Sequence, residues 1–357
     1  MSLDRARAER YTRAATRWAR LAMGRRRPGL RLFYGHDEVP AAGEAVAGGT
    51  AKFQKLATRF PNRPTDFTVL YLGTTWLPRD LRPLLALARR RRIPLVANQD
   101  GVAYPGWAGS QTEALNVPLR RVVRAADHVL YQSAFSKRSS DIFLGEPGGT
   151  WEVLHNAVDT DHFVPPLAPP DDGPVLLLGG DQTQAYRLEL GLRTLAAVRV
   201  SHPGARLLVT GRLVSDATPL VRELDLVGHV ELVGRYPQLS APSLFGRAHM
   251  LLHTKVNDPC PTLVLEALAC GLPVVYPASG GTPELVGAAG VGVAHDDGFD
   301  RDEPPEPEAL AAAVEAVLAN RAGYAVEARR RAVEQFALGP WLDRHAELFA
   351  ELLGGHS

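Results

Sequence analysis

The chain has little cysteine and no long apolar run. These two absences argue against a disulfide-bonded secreted protein and against a membrane-spanning protein. Cys260 and Cys270 are the only cysteines among 357 residues. They flank one predicted helix, so we expect no disulfide and a reducing compartment. No run of about eighteen apolar residues occurs, which excludes a typical membrane-spanning helix. The first residues lack the apolar core of a signal peptide, and a cytoplasmic location is therefore expected.

Motifs for dinucleotides, for metals and for nucleic acid are also missing. No G-x-G-x-x-G follows a predicted strand, and no P-loop is present. The eleven histidines form no recognisable ligand spacing with the cysteines, so we expect no metal ion. The basic run at residues 89–92 has no interleaved aromatic residues, which argues against nucleic-acid binding.

What the chain does contain is an alternation of apolar, β-rich runs with helix-like stretches. The runs predict strands at 30–34, 67–72, 94–97 and 128–132, and then at 175–178, 206–210, 229–233, 249–254 and 272–276. This alternation is typical of an α/β protein with doubly wound parallel sheets.

Prolines between the two groups of strands predict a domain boundary. We predict a Rossmann-like domain over residues 1–165, a linker over 166–174 and a second Rossmann-like domain over 175–338. The segment 339–357 is predicted to contain an amphipathic helix. The side chains expected to form its contact face are Trp341, Leu342, Leu348 and Leu352.

Charge is divided unequally along the chain. Residues 1–164 hold 25 Lys and Arg against 15 Asp and Glu, whereas the remainder holds 15 against 24. A basic first half suits contact with an anionic membrane surface or a phosphorylated acceptor, but arginine-rich helices that only solvate the domain explain it equally well. The nine arginines within residues 5–27 leave the same choice between an interfacial helix and an ordinary exposed one.

The most informative segment covers residues 253–286, where two carboxylates frame a helix start. Glu266 follows Asp258 after seven intervening residues. We predict that a helix opens at Asp258, carries residues 262–269 and stops at Gly271. Carboxylates accept hydroxyl donors, and the free N–H groups of a helix start suit phosphate oxygens. The alternative is that Asp258 only caps the helix and that Glu266 is a surface residue.

This segment resembles the acidic-x7-Glu signature of the retaining glycosyltransferases of family 4. Their GT-B fold has two facing Rossmann-like domains and a C-terminal helix that crosses back to the first domain. The resemblance implies that Glu266 holds the ribose of a nucleotide-sugar donor and that Asp258, where Glu is usual, holds the donor sugar. The diphosphate is then expected at Pro261, Thr262 and Leu263. Residues 125–137 and 154–163 are similar to two further segments of the family.

The segment after the first strand of the second domain departs from the family pattern. The family has Gly-Arg there and a Lys six residues later, and the two cations hold the diphosphate. In this chain Gly180 is followed by Asp181, and Arg187 stands at the Lys position. Arginine binds phosphate bidentately. Either Lys255 replaces the missing cation, or Asp181 pairs with Arg187 and orients it.

The first domain departs from the family pattern as well. A histidine that contacts the donor sugar is replaced here by the sequence Asn98, Gln99 and Asp100, of which we favour Gln99 and Asp100 as sugar partners. The alternative is an ordinary polar turn. Gly48 and Gly49 precede a predicted helix over residues 51–58 and resemble the family's glycine-rich loop near the donor phosphate.

Two further features of the sequence are interpreted as structural and not as parts of the donor site. Lys55, on the predicted helix over residues 51–58, is expected to be solvated. In the sequence from Gly280 to Glu284, Thr282 is a natural N-cap and Glu284 favours the first turn of the helix that follows.

We therefore predict a cytoplasmic enzyme that transfers a sugar from a nucleotide-diphosphate donor to a carbohydrate, lipid-linked or small-molecule acceptor. The resemblance implies retention of the anomeric configuration. No metal or other cofactor is expected, because the nucleotide sugar is a substrate. The alternatives are another GT-B enzyme, such as a nucleotide-sugar epimerase, and a binding protein that keeps the fold without catalysis.

Overall fold

The computed structural model describes residues 12, 15, 19, 28–41, 44, 48–167, 173–296 and 298–355. The predicted helix over residues 5–27 lies outside the described residues except at three isolated positions. The predicted linker lies outside them at residues 168–172. Within the described ranges, no helix combines the length and apolar character needed to cross a bilayer.

The first sheet contains five parallel strands in the order β1-β2-β3-β4-β5. Helices connect successive strands, as parallel pairing requires. The strands are β1 (Leu32–Phe33), β2 (Val69–Gly73), β3 (Leu95–Gln99), β4 (His128–Tyr131) and β5 (Thr150–Val153). The helices are α1 (Gly48–Arg59), α2 (Leu81–Arg91), α3 (Pro105–Ala108), α4 (Thr112–Ala125) and α5 (Ala134–Phe143).

The second sheet contains six parallel strands in the order β11-β10-β9-β6-β7-β8. Its strands are β6 (Val175–Leu178), β7 (Arg206–Thr210), β8 (Val230–Gly234), β9 (Met250–Leu252), β10 (Val274–Pro277) and β11 (Gly290–Val293). Its helices are α6 (Ala185–Ser201), α7 (Thr218–Glu223), α8 (Ala241–Phe245), α9 (Thr262–Ala269), α10 (Thr282–Val286), α11 (Pro307–Ala319) and α12 (Arg321–Gln335). The nine predicted strands are all present, with ends shifted by at most two residues.

The central strands of each sheet are buried on both faces, as their mostly apolar sequences require. In β2, Leu70 and Leu72 enter the core on one face of the first sheet, while Tyr71 enters the core on the other face. In β6, Leu177 and Leu178 separate in the same way. This alternation follows from the two-residue period of a strand.

The last helix, α13 (Leu338–Gly354), returns to the first domain as the fold prediction required. Trp341, Leu342 and Leu348 are buried in the same cluster as β1 and β2, and Leu352 packs against that cluster. Tyr71 Oη also lies 3.2 Å from Nε2 of His345 on this helix. Burial lowers the pKa of His345 to about 4, so this histidine is neutral near pH 7.

Candidate active site

The order of strands in the second sheet locates the candidate site. From β6 the chain adds β7 and β8 on one side and then β9 to β11 on the other. The loops that follow β6 and β9 therefore diverge at the carboxyl edge, which is the switch point where open α/β sheets bind ligands. Glycines 179 and 180 follow β6, and the acidic segment that begins at His253 follows β9.

The start of α9 presents free backbone N–H groups at this edge. The helix begins at Thr262 with Pro261 as its N-cap residue, so the prediction that it opens at Asp258 is wrong and Asp258 lies in the preceding loop. A helix start leaves its first N–H groups unpaired, and these belong to Thr262 and Leu263. The side chain of Leu263 packs over Gly179 so closely that a Cβ there would collide with it.

Asp258 pairs with Lys255 and lies near His253, and it does not cap the helix that it was alternatively expected to cap. Its Oδ2 lies 3.0 Å from Lys255 Nζ and 3.9 Å from His253 Nε2. Burial alone would raise the pKa of Asp258, but Lys255, through its charge and its hydrogen bond, keeps this pKa below its ordinary value. Asp258 is therefore an anion that lies beside the start of α9. Lys255 is paired with it and is not a free cation.

Several buried polar atoms around this edge have no partner among the described residues. Native proteins leave few such atoms unpaired, so these atoms require polar partners, which ordered water or a polar ligand can supply. The atoms are Arg187 Nε, both ring nitrogens of His253, Thr254 Oγ1, Asn257 Oδ1 and Thr282 Oγ1. Burial lowers the pKa of His253 to about 3, so its ring is neutral. Asn257 has φ +53°, a left-handed conformation that costs energy and is common at functional sites.

Arg187 lies under the β6–α6 loop. The residue is 5% exposed, and its Nη1 and Nη2 donate to the carbonyl oxygens of Asp181 at 2.7 Å and Gly179 at 3.2 Å. Burial lowers the pKa of Arg187, but guanidinium remains protonated in proteins. Gly180 has φ +80°, a left-handed conformation that favours glycine, and a Cβ there would meet nothing within 4 Å.

The partner of Asp181 is Arg235, and the prediction that its carboxylate pairs with Arg187 is wrong. Arg235 Nη2 donates to Asp181 Oδ2 at 2.6 Å, and the backbone N–H of Arg212 donates to Oδ1 at 2.8 Å. Hydrogen bonding to Arg235 lowers the pKa of Asp181. The negative charge that the sequence places after Gly180 is thus neutralised by an arginine from the end of β8.

Glu266 is buried on α9 at the junction of the two domains. It is 7% exposed and accepts a hydrogen bond from Gln238 Nε2 at 2.7 Å. Burial raises the pKa of Glu266, and the charge of Lys55 opposes this effect. Lys55 is not simply solvated, because its Nζ donates to Ala157 O at 2.5 Å. Glu266 is therefore an interior carboxylate, contrary to the alternative that placed it on the surface.

Asp100 and Gln99 lie inside the first domain with their polar atoms engaged. Asp100 accepts from Lys52 Nζ, from Thr74 Oγ1 at 2.7 Å, and from Thr75 N and Oγ1 at 2.8 and 2.7 Å. Gln99 Nε2 donates to the carbonyl oxygen of Gly101 at 2.8 Å. These contacts fix both side chains within the first domain, and their contact with a sugar stays a prediction.

Gly48 and Gly49 form the first turn of α1 instead of a loop before it, which corrects the predicted helix start. A Cβ on Gly49 would lie 2.6 Å from Thr75 Oγ1, so the close packing requires a glycine there. Thr282 is also not the N-cap of α10. That position belongs to Gly281, and Thr282 is the first residue of the helix.

Sequence reasoning missed four residues at this edge. His253 and Asn257 stood inside the acidic segment, and their position between a strand and a helix could have suggested a site role. Arg235 and Gln238 follow β8 and carry no local signal, because their partners lie 54 and 28 positions away.

The fold and the site together define the class. The chain is a GT-B protein whose second domain presents helix N–H groups, a buried arginine and two carboxylates at one switch point. Residues 159–336 match the family described as Glycosyl transferases group 1. The chain belongs to this family.

Relatives of known activity extend the match along the chain. One is the GDP-mannose-dependent alpha-(1-6)-phosphatidylinositol monomannoside mannosyltransferase of Mycolicibacterium smegmatis. It is 30% identical over 321 residues, which cover 81% of this chain and 77% of the relative. Glycogen synthase of Mycobacterium tuberculosis is 26% identical over 310 residues, which cover 83% and 69%.

Solved structures share the fold at lower identity. Sucrose-phosphate synthase from Thermosynechococcus elongatus has a TM-score of 0.66 at 18% identity, covering 85% of this chain and 77% of that one. Anabaena HepE in complex with UDP-glucose has a TM-score of 0.64 at 20% identity, covering 80% and 79%. At these sequence identities, the similarity supports the GT-B fold and nothing more specific.

Proposed function

We propose that this protein transfers a sugar from a nucleotide-diphosphate donor to an acceptor hydroxyl with retention of the anomeric configuration. The observation that carries the proposal is the group of unpartnered, buried polar atoms beside the start of α9. A donor has a diphosphate, a ribose and a sugar, and these supply the anions and hydroxyls that the polar atoms lack. Retention rests on the resemblance to family 4.

In the proposed complex, the diphosphate binds at the N–H groups of Thr262 and Leu263. Arg187 supplies the cation, because its Nε is free and its other nitrogens bond only to backbone carbonyls. These groups stabilise the diphosphate as it leaves, and stabilisation of developing charge usually contributes more to catalysis than any other single effect. Lys255 lies next to Asp258 and adds a second cation once the sugar engages that carboxylate.

Glu266 and Asp258 are proposed to bind different hydroxyl groups of the donor, those of the ribose and those of the sugar. Glu266 accepts the ribose hydroxyls in place of the amide of Gln238, which now donates to it. Asp258, together with the neutral ring of His253 and the amide of Asn257, orients the sugar. Relatives in the family include a GDP-mannose-dependent enzyme, and fold neighbours bind UDP and UDP-glucose.

The ion pair between Asp181 and Arg235 weakens the case for a binding protein without catalysis. That alternative rested in part on a carboxylate that would repel the diphosphate, and Arg235 neutralises this carboxylate. A nucleotide-sugar epimerase has no observation of its own in its favour.

A turnover assay tests the proposal. The protein is incubated with UDP-glucose and with GDP-mannose, and released nucleoside diphosphate is measured with and without candidate acceptors. We expect release with one donor, its loss in Glu266→Gln and its persistence in Glu315→Gln, a surface carboxylate 42% exposed. Binding without release would favour the non-catalytic alternative, and an inverted anomeric signal in the NMR spectrum of the product would refute retention.

The acceptor side of the proposal includes contact with an anionic surface. Five arginines line a groove at the amino ends of β3 and β4, away from the carboxyl edge of the sheet: Arg89, Arg92, Arg120, Arg121 and Arg124. Asp127 also lines the groove, but the five arginines leave its charge predominantly positive, and a basic groove attracts anionic lipid or phosphorylated acceptors. Co-sedimentation with vesicles that contain phosphatidylserine, lost in Arg121→Glu, supports membrane contact. Equal sedimentation with neutral vesicles contradicts it.

A further inference from the structure

The segment between β11 and α11 contacts both loops of the candidate donor site. Residues 298–303 of this segment are called the strap. The side-chain amide of Asn257, next to Asp258, donates to the carbonyl oxygen of Gly298 at 2.9 Å. Gln184, the residue before α6, donates to Asp302 Oδ2 at 2.7 Å. The strap is thus tied to the loops after β6 and β9 at the sugar side of the site.

The same strap enters the first domain. The ring of Phe299 lies among Tyr104, Phe135 and Phe143, with centroid distances of 5.5, 5.7 and 5.2 Å. Phe299 packs against the core of the first sheet, although it belongs to the second domain. Its carbonyl oxygen accepts from the backbone N–H of Gly106 at 2.8 Å. An aromatic anchor in an aromatic pocket gives a specific, water-excluding contact.

Asp302 joins the two domains with a single carboxylate. Tyr104 Oη of the first domain donates to Oδ1 at 2.9 Å, while Gln184 of the second domain donates to Oδ2. Because both oxygens are engaged, the two domains cannot separate at this edge without breaking at least one of these bonds.

The first domain accommodates the strap through Gly106 on α3. A Cβ at this position would lie 2.9 Å from the carbonyl carbon of Arg301 and 3.0 Å from the amide nitrogen of Asp302. Real Cβ atoms rarely approach backbone so closely, so alanine at 106 would displace the strap. Substitution of Gly106 therefore displaces the strap while the sequence of the strap itself stays unchanged.

We propose that the strap holds the two domains closed over the sugar side of the donor site and must release when the donor is exchanged. The proposal rests on the proposed function for the identity of the ligand, but the closing contact itself does not depend on a ligand. Closure of this edge would keep water away from the bond that breaks, and water otherwise competes as the acceptor.

The first test needs no ligand. X-ray scattering in solution and hydrogen exchange are measured for the wild type, Gly106→Ala, Phe299→Ala and Arg301→Ala. Arg301 is the matched control, because its side chain is 82% exposed and its ion pair, within the described part of the chain, is with Glu303 of the same strap. We expect a larger radius of gyration and faster exchange over residues 104–108 and 255–258 in the first two variants and not in the control. Unchanged scattering and exchange in folded Gly106→Ala would overturn the proposal.

The second test measures the release of UDP and GDP by stopped flow. Loss of an interface contact acts mainly on dissociation, so the strap variants should release the bound nucleotide about tenfold faster than the wild type. If Gly106→Ala opens the domains but releases nucleotide at the wild-type rate, control of donor exchange by the strap is refuted. If the wild type binds neither nucleotide, the proposed function fails, whereas scattering and exchange still decide whether the strap closes the domains.

Discussion

Glu284 of the second domain closes the start of a helix in the first domain, so its replacement should loosen the contact between them. Its carboxylate accepts from the backbone N–H groups of Ala134 at 2.8 Å and Phe135 at 3.0 Å, and His155 Nε2 lies 3.2 Å away. Glu284 thus pairs two N–H groups that the start of α5 would leave free, and it places negative charge at the positive end of the helix dipole. The sequence had suggested only a local role in α10.

The size of the effect follows from these contacts. Glu284→Gln keeps an acceptor oxygen and removes the charge, whereas Glu284→Ala removes both. A hydrogen bond to a charged group contributes about 1.5–3 kcal/mol, and solvent screening reduces this value because the side chain is 27% exposed. We expect Glu284→Gln to lower the free energy of unfolding by about 1 kcal/mol and Glu284→Ala by about 2 kcal/mol.

Urea unfolding gives the free energies, and hydrogen exchange at Ala134 and Phe135 reports the contact directly, since two domains need not unfold in a single step. Glu315→Gln, which removes an exposed carboxylate paired with His202, is the control. A difference between Glu284→Gln and the wild type below about 0.3 kcal/mol, with unchanged exchange, would refute the reasoning.

The same contact predicts a pH dependence. Burial alone would raise the pKa of Glu284, but His155 and the two N–H groups outweigh burial and hold this pKa below its ordinary value of 4.5. A carboxylate with a lowered pKa stabilises the folded state fully above its ordinary pKa, and this stabilisation is lost as the pH falls through the folded value. The difference between the wild type and Glu284→Gln should therefore stay constant above about pH 5.5 and shrink on acidification. A difference that grows in acid would contradict the assignment.

Three further predictions concern the candidate site. Gly281→Ala should lower stability by about 2 kcal/mol or more, because its Cβ would collide with the carbonyl oxygen of Pro259; an unchanged thermal midpoint would contradict this. Arg235→Gln should weaken binding of UDP or GDP in calorimetry because the charge of Asp181 is then no longer neutralised, and Asp181→Asn added to it should restore affinity; equal affinities of the single and double variants would argue against it. Arg187→Gln should weaken binding of the nucleoside diphosphate more than binding of the nucleoside, and an equal loss for both would remove Arg187 from the diphosphate.

The sequence predicted the central strands of both sheets well because these strands are buried on both faces. Such strands are continuous apolar runs, which are visible without knowledge of their neighbours. The two strands that the prediction omitted lack this signal. β5 (Thr150–Val153) is half exposed at an edge of its sheet, and β11 (Gly290–Val293) alternates glycine with valine.

The site was predicted where its signal is local and missed where it depends on distant residues. Residues 262–269 are helical as predicted, and Asp258 and Glu266 lie on the predicted edge of the sheet. The partner of Asp181 could not be read from spacing, because no local pattern connects it to Arg235. The same applies to Phe299, whose aromatic neighbours belong to the other domain.

The proposed function depends on binding of a nucleotide-diphosphate donor by the start of α9, Arg187 and Glu266. This binding is measured through the thermal midpoint of the wild type and Glu266→Gln with UDP, GDP, ADP and dTDP and with their sugars. A nucleotide at a hundred times its Kd stabilises the folded state by about 2.7 kcal/mol, which raises the midpoint by several degrees. We predict such a shift with one nucleotide for the wild type and its loss in the variant. No shift at millimolar concentration, or an equal shift in Glu266→Gln, would contradict the assignment of the donor site.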